Sequence, residues 1–530
     1  MSSRTARRPN VLLITSDQQH WQTLGSNNPR IRTPALDRLA ESGIRFDRGY
    51  CPNPTCTPTR ASIITGMYPS THGAFTLGTR LPEHVPTIGE LLRREGYRSS
   101  LIGKAHFQPL TSTPDCLSLE AYPTLRDLNF WRDFNRTGTP WYGFDHVEIA
   151  RNHGDEGHVG QHYGLWLEEH GLSNWQAYFQ LRIDGIRDTE HDATLAPRVV
   201  HGPGYGWRAY EPWKLPAELH YTAWTGQRTI AAIEQACERQ QPFFIWSSYH
   251  DPHPPYCVPD PWFSMYDPAD MRPGRFVEGE FDRMPLPHRM TRDPSAPFEP
   301  FNADRRGNHG YHPHVGITDV QLRQSMAVYF GMISFMDQWI GRTLDRLREL
   351  RQLENTLVVF SSDHGHFLGQ HGLVAKGPFH YEDVIRVPFI VSMPGTLPQG
   401  RTSDAIQSLV DLAPTFADVA DLDVPRSMQG VSQWEAWRDA SSARDHAIVE
   451  NHHQQGGEVH LRTLVTDRHK LTVYRGRDWG ELFDLQHDPD ELHNRFDDPA
   501  FRDVRESMLR KLIDADLSRE PAPTRRVAGA

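Results

Sequence analysis

Short, apolar, β-branched runs alternate with helical periodicities along most of this chain, and that alternation restricts its architecture more than any other feature. Val11-Leu12-Leu13-Ile14-Thr15 has the length and the lack of polar alternation of a strand buried on both faces. Thr33 precedes a helical pattern (Leu36, Leu39, Ala40) stopped by Gly43, and Ile44-Arg45-Phe46 reads as the next strand. Ile88, Leu91 and Leu92 mark a helix closed by Gly96, and Tyr97 to Ile102 a strand. Ile230, Ile233 and Cys237 set the period of a helix over 223–237, ahead of the strand Phe243-Phe244-Ile245-Trp246. Thr318 with Gln321 forms a capping-box pattern before a long helix. That helix carries Met326, Tyr329, Ile333, Met336, Ile340, Leu344 and Leu347 on one stripe. Thr356-Leu357-Val358-Val359-Phe360 and Val387 to Met393 are further strands, and Leu409 to Leu422 a helix. Such alternation specifies an α/β fold with a large mixed, mostly parallel sheet flanked by helices.

From about Ala440 the texture changes to short alternating segments: Val459-His460-Leu461, Leu471-Thr472-Val473-Tyr474 and Leu482-Phe483. These predict a small antiparallel sheet, followed by a helix over 504–513. The expected organisation is a large α/β domain over 1–439 and a small C-terminal α+β domain over 440–530. Two stretches lack a clean period. One runs from about Phe107 to Pro216 and holds Trp141-Tyr142-Gly143-Phe144 and His201-Gly202-Pro203-Gly204-Tyr205; the other follows His250-Asp251-Pro252-His253-Pro254-Pro255 and extends to about Gly316. Long irregular regions inside a compact domain are usually functional, so both are expected to shape a substrate pocket, although aromatic residues in such a region serve packing equally well.

Composition removes several classes of function. A net charge of −11 argues against a nucleic-acid partner held through phosphates. No apolar run is long enough to span a bilayer, so no membrane partner is expected. Met1 to Arg8 is basic but lacks the apolar core of a signal peptide, which points to the cytoplasm. Cys51, Cys56, Cys116, Cys237 and Cys257 are few and odd in number, so no disulfide framework is implied. Self-association into a homo-oligomer is compatible with this sequence.

Chemistry-bearing residues gather at the ends of the predicted strands: Asp17-Gln18, Lys104 with His106, His250 with His253, and Asp363-His364. A βαβ sheet brings such ends to one edge. Two carboxylates, an amide oxygen and an imidazole make a reasonable divalent-metal cage. The segment Cys56-Thr57-Pro58-Thr59-Arg60-Ala61-Ser62-Ile63-Ile64-Thr65-Gly66 adds a second focus. Pro58 suits the first turn of a helix, which puts Cys56 at the N-terminus, where free amides favour an anion. Arg60 lies one turn on, along the same face. A buried cysteine before an ordinary helix is the plain alternative.

Cys-x-Pro-x-Arg followed by Ile-Ile-Thr-Gly resembles the sulfatase signature at every defining position. The resemblance to the sulfatase branch of the alkaline phosphatase superfamily extends over nearly the whole chain. Its landmarks are Pro9-Asn10-Val11-Leu12-Leu13-Ile14, Gly103-Lys104-Ala105-His106, His250-Asp251-Pro252-His253, Ser362-Asp363-His364-Gly365, Lys376-Gly377, and Glu481-Leu482-Phe483-Asp484-Leu485 before Asp488-Pro489. It implies an alkaline-phosphatase-like fold in the larger, catalytic domain. It also implies conversion of Cys56 to formylglycine by a formylglycine-generating enzyme, and one divalent metal ion held by Asp17, Gln18, Asp363, His364 and the modified Cys56. By the same resemblance Arg60 holds the formylglycine alkoxide with Lys104 close by, and His106 takes the proton from the second hydroxyl. Lys376 and His253 grip the sulfate, and one of them protonates the leaving oxygen. The substrate implied is a small-molecule or saccharide sulfate ester.

Two positions depart from many sulfatases: Gln18 stands where a second Asp is usual, and His364 where an Asn is. Asp-Gln paired with Asp-His resembles choline sulfatases and phosphonate monoester hydrolases, and shifts the metal preference from Ca²⁺ towards Mn²⁺. Phosphonate hydrolases typically lack the Lys-x-His pair present here as Lys104 and His106. Sulfuric ester hydrolysis is therefore the expected activity. A phosphonate monoester or phosphodiester hydrolase with the same nucleophile is the alternative, and a non-catalytic binding protein with an unmodified Cys56 thiol the remote one.

Overall fold

Three strands with matched ends organise the molecule: β1 (Asn10–Ser16), β5 (Phe243–Ser248) and β6 (Thr356–Ser362). The computed structural model describes residues 8–179, 212–292, 318–452 and 459–520, with the backbone of 181–182 and 198–199. The 201–205 stretch, much of the second irregular segment and the last ten residues lie outside the described residues. β1 is parallel to both neighbours, with Thr15 opposite Ser248 on one side and Ser16 opposite Ser362 on the other. Backbone bonds continue the ladders past the strands, from Asp363 N to Ser16 O and from Tyr249 N to Thr15 O. The carboxyl ends of all three strands are thereby brought level.

β2 (Ile44–Tyr50), β3 (Arg98–Gly103), β4 (His146–Ile149), β7 (Arg386–Ser392) and β8 (Arg401–Ser403) complete the sheet in the order β8-β2-β7-β6-β1-β5-β3-β4, with Gln407–Ser408 also paired to β2. β7 runs antiparallel to β2 and β6. No long crossover helix joins Ser362 to Arg386, so the chain turns back and re-enters from the same edge.

Alternate residues of each strand feed two cores. Leu13, Phe244, Trp246 and Val359 pack with helices α2 (Cys56–Thr65), α3 (Ile88–Arg94) and α8 (Leu412–Val419). Leu12, Ile14, Ile245 and Val358 pack with α1 (Pro34–Glu41), α6 (Tyr221–Glu238) and α7 (Asp319–Glu349). The capping box of α7 is present, with Thr318 accepting from Gln321 N. From Ser325 to Asp337 every residue of that helix is buried, broader than the single stripe its spacing predicts.

The first irregular region contains more regular structure than its composition implies. It holds α4 (Leu128–Phe134), the edge strand β4 and α5 (Gln161–Glu169). Trp141, Tyr142 and Phe144 are buried against Phe107 and Phe244 and so contribute to the core. The C-terminal sheet is an antiparallel meander of β9 (Ala447–His452), β10 (His460–Val465), β11 (His469–Tyr474) and β12 (Gly480–Asp484), covered by α9 (Arg502–Ser518). Among the described residues, no helix is long and apolar enough to cross a membrane.

Candidate active site

Cys56 is the first residue of α2, and a short network sets the entry to that helix. Asn53 Oδ1 accepts from Thr55 N (2.9 Å) and Thr55 Oγ1 (2.6 Å), and Thr59 Oγ1 donates to Asn53 O (2.6 Å). The helix stops at Gly66, whose φ of 65° is the left-handed conformation that a side chain resists. All ten residues of α2 are buried, Cys56 included.

Around that thiol the strand ends converge. The ligand atoms of Asp17, Cys56, Asp363 and His364 all lie within 4.8 Å of one another, and all four residues are buried. Asp363 Oδ1 accepts from the backbone N–H of Gln18 (3.0 Å) and of His364 (2.9 Å), while its Oδ2 accepts from Arg60 Nε (2.9 Å). Arg60, with no exposed surface, also lies 3.6 Å from Asp17 Oδ2 and donates to Lys104 O and Ser248 Oγ. Lys104 Nζ bonds Asp17 Oδ2 and lies 2.8 Å from His153 Nε2. On the other side Lys376 Nζ reaches Cys56 Sγ (3.0 Å), His253 Nε2 (3.1 Å) and His364 Nε2 (3.4 Å).

The donor set fits a divalent cation. His364 Nδ1 lies 2.9 Å from Gly365 O; donation there puts the Nε2 lone pair on the side of Cys56 Sγ, Lys376 Nζ and the two carboxylates. Gln18 Nε2 donates to His366 Nδ1 (2.8 Å), and His366 Nε2 in turn donates to Tyr256 OH (2.7 Å). The amide is thereby oriented, and its Oε1 is buried with no hydrogen-bond partner. A buried amide oxygen without a partner, on a residue whose backbone N–H bonds Asp363, suits completion by a hard or borderline cation.

Charge compensation governs protonation here. Burial pushes the Asp17 carboxyl up, but Lys104 and His253 outweigh it and hold it well below the usual carboxylate range. Burial and the Asp17 charge raise the Cys56 thiol, yet Lys104, Lys376 and His364 bring it below the ordinary thiol value. Burial disfavours the Lys376 ammonium, whereas Cys56 and Asp17 favour it more and raise its pKa. His253 is held well below the usual imidazole range by burial, then by His153 and Lys376. Burial, Lys104 and Arg151 do the same to His106.

Asp17, Cys56, Arg60, Lys104, His253, Asp363, His364 and Lys376 thus form one connected group, with Gln18 attached through its backbone. His106 adjoins it differently. Its φ is 59°, its Nδ1 has no hydrogen-bond partner, and Glu120 carries its backbone by accepting from the N–H groups of His106, Phe107 and Gln108. His250 is committed to the backbone, with its Nε2 2.8 Å from Ala150 O. His153, His366 and Tyr256 escaped the motif reading. His153 lies in Arg151-Asn152-His153-Gly154-Asp155-Glu156, directly after β4, an edge strand that no apolar run marks.

The sequence profile of the Sulfatase family matches residues 9–422, and that of the N-sulphoglucosamine sulphohydrolase C-terminal region matches 369–518. An arylsulfatase of Clostridium perfringens is 29% identical over 525 residues, covering 96% of this chain and 94% of its own length. A choline-sulfatase of Rhizobium meliloti is 25% identical over 531 residues, covering 94% and 87%. The crystal structure of a phosphonate monoester hydrolase of Agrobacterium radiobacter superposes with a TM-score of 0.76 over 97% of this chain and 96% of that one; at 23% identity this is a likeness of fold.

Proposed function

The chain belongs to the sulfatase family, hydrolases of sulfuric esters, and we propose that it cleaves organic sulfate monoesters to alcohol and sulfate through a formylglycine made from Cys56. One observation carries the reading: Cys56 opens a buried helix within 4.8 Å of two carboxylates and an imidazole, with Lys376 at 3.0 Å. No plain structural cysteine needs such a surrounding. Asp17, Gln18, Asp363 and His364 would hold one divalent cation, Mn²⁺ or Ca²⁺. When bound, it supplies a Lewis acid that lowers the pKa of an oxygen nucleophile and offsets sulfuryl charge. Formylglycine, installed by a formylglycine-generating enzyme, supplies a hydrated aldehyde with one hydroxyl to attack and a second whose loss of a proton releases sulfate.

The remaining roles fall to side chains of the chain itself. Arg60 fixes both carboxylates and lends positive charge beneath residue 56. Lys104 and Lys376 flank the sulfuryl position and compensate its oxygens as charge develops. The proton for the leaving oxygen resides on Lys376 Nζ, which donates to His253 Nε2; the pair delivers it to the departing alcohol. His106 Nδ1, without a partner and held neutral, accepts the proton of the second hydroxyl. The substrate is a small-molecule or saccharide sulfate ester, consistent with relatives named arylsulfatase and choline-sulfatase.

A second reading, hydrolysis of phosphonate monoesters or phosphodiesters, is favoured by the ligand set, where Gln18 and His364 leave only two carboxylates. Matched turnover of a nitrophenyl sulfate and a nitrophenyl phosphonate monoester separates the two. The expected result is a higher kcat/KM for the sulfate; a phosphonate preference would transfer the assignment to the second reading.

A further inference from the structure

Two lysine–imidazole pairs flank residue 56, and the sequence landmarks account for one of them. In that pair Lys376 Nζ donates to His253 Nε2 at 3.1 Å. In the other, Lys104 Nζ donates to His153 Nε2 at 2.8 Å and also bonds Asp17 Oδ2. The two imidazoles are stacked, with centroids 3.9 Å apart and planes at 20°. An ammonium has no lone pair, so each Nε2 must accept and each ring proton sits on Nδ1. His253 Nδ1 then meets Pro254 O, and His153 Nδ1 faces Glu156 Oε2 at 3.4 Å.

Glu156 has no exposed surface, accepts from Arg151 Nη1 (2.5 Å) and from the His153 backbone N–H (3.1 Å), and so holds the turn that carries the ring. Gly154 has φ 48°, and a Cβ there would come within 2.7 Å of Pro255 Cγ and 2.9 Å of its carbonyl oxygen. Its N–H donates to Tyr221 OH (3.2 Å), which donates to Asp251 (2.6 Å). The turn after β4 is therefore pressed onto the loop after β5, and the two histidines are held as a unit.

From this geometry we propose that His153, carried on the turn that Glu156 fixes, is a positioning residue for the hydrolysis at residue 56: it sets the direction of the Lys104 ammonium and the plane of the His253 ring. The inference rests on the reading given under Proposed function. An ammonium on a four-carbon stem rotates freely unless its protons are committed. Asp17 and His153 take two of the three N–H bonds, so the direction of the third is fixed. Removing His153 leaves the ligand set of the site unchanged. Substrate binding should survive while alignment is lost, and small misplacements of catalytic groups cost about 10²-fold.

The test measures kcat and KM for nitrophenyl sulfate with the full, matured chain as wild type, His153→Ala, His153→Gln, Lys104→Ala and the double variant His153→Ala/Lys104→Ala. A glutamine amide can accept from Lys104 and donate towards Glu156. His153→Ala should lower kcat by about 10²-fold with KM within about threefold, and His153→Gln should recover at least about tenfold of that loss. Because the two residues act as a unit, the double variant should be no more than about threefold slower than Lys104→Ala. Independent multiplication of the two losses, a loss confined to KM, or a glutamine variant as slow as the alanine would overturn the proposal. If Lys104→Ala is too slow to measure, the glutamine recovery and the kcat–KM split decide alone. An inactive wild type would instead count against the sulfatase reading on which the proposal rests, and the proposal would fall with it; an active wild type with independent effects removes only the role of His153.

Discussion

Asp17 and Asp363 are fully buried carboxylates, and each is balanced by cations that are themselves buried, Lys104 for the first and Arg60 for both. Removing one member leaves the others uncompensated in a dry site, a situation that typically costs about 3–5 kcal/mol. Asp17→Asn and Asp363→Asn keep the shape, and each is expected to lose bound metal and turnover together. Metal analysis of the purified variants reads this directly; stoichiometric metal with normal rate in either would displace the site. The Tyr256–His366–Gln18 chain orients the amide, so His366→Phe should weaken metal affinity about 10- to 100-fold in a chelator competition while leaving the carboxylates in place. A general acid matters most for a poor leaving group, so His253→Ala should slow alkyl sulfates far more than nitrophenyl sulfate. Equal slowing of both would place the acid elsewhere. Asp17, Cys56, Asp363 and His364 were legible in the sequence because each sits at a strand end or a helix start, positions a local pattern reveals. His153 and His366 were not, because what makes them functional is contact with Lys104 and Gln18, 49 and 348 residues away.

Elements show the same division between local and non-local information. Every strand of the large sheet from β1 to β7, β4 excepted, is marked locally: β1, β5, β6 and β7 by short apolar runs, β2 and β3 by following a helix that ends in glycine. β4 does not, because the four-residue edge strand His146–Ile149 begins with a partly exposed histidine and carries a glutamate salt-bridged to Arg228. Strand direction was also illegible for β7, since an apolar run reads the same both ways and the turning segment 363–385 is defined by the site it builds. One contact between helices carries a pH signature. Asp337 of α7 accepts from the backbone N–H groups of Ala35 (3.0 Å) and Leu36 (2.8 Å), capping α1 in place of a side chain from its own N-terminus. Burial raises its pKa to about 7, against the stabilising pull of those two amides. Because the folded value lies above the unfolded one, its contribution is full below about pH 4 and is lost as pH rises through about 7. Asp337→Asn removes that titration. The difference in unfolding temperature between variant and wild type should therefore move in favour of the variant between pH 5 and pH 8; a constant difference would show that the carboxyl is charged throughout.

At the scale of the molecule, the large sheet supplies the site and the C-terminal sheet braces one of its loops. Lys470 of β11, with no exposed surface, pairs with Glu491 and lies 3.4 Å from Glu382, just past the segment that carries Lys376. Burial raises Glu491 to about 8, countered by the Lys470 charge, so removing Lys470 leaves this buried carboxyl without the cation that opposes burial. Lys470→Ala should lower the unfolding temperature by several degrees in calorimetry and reduce turnover through the Lys376 loop. An unchanged unfolding temperature would mean the two sheets are held by apolar packing alone. The claim that joins all three scales is that residue 56, at the point where the strands converge, turns over sulfate esters repeatedly. It is tested most directly by counting inorganic sulfate released from nitrophenyl sulfate per mole of protein, for wild type and for Cys56→Ala with its fold verified. The account predicts many equivalents from the wild type and none above background from the variant; equal release from both would contradict it.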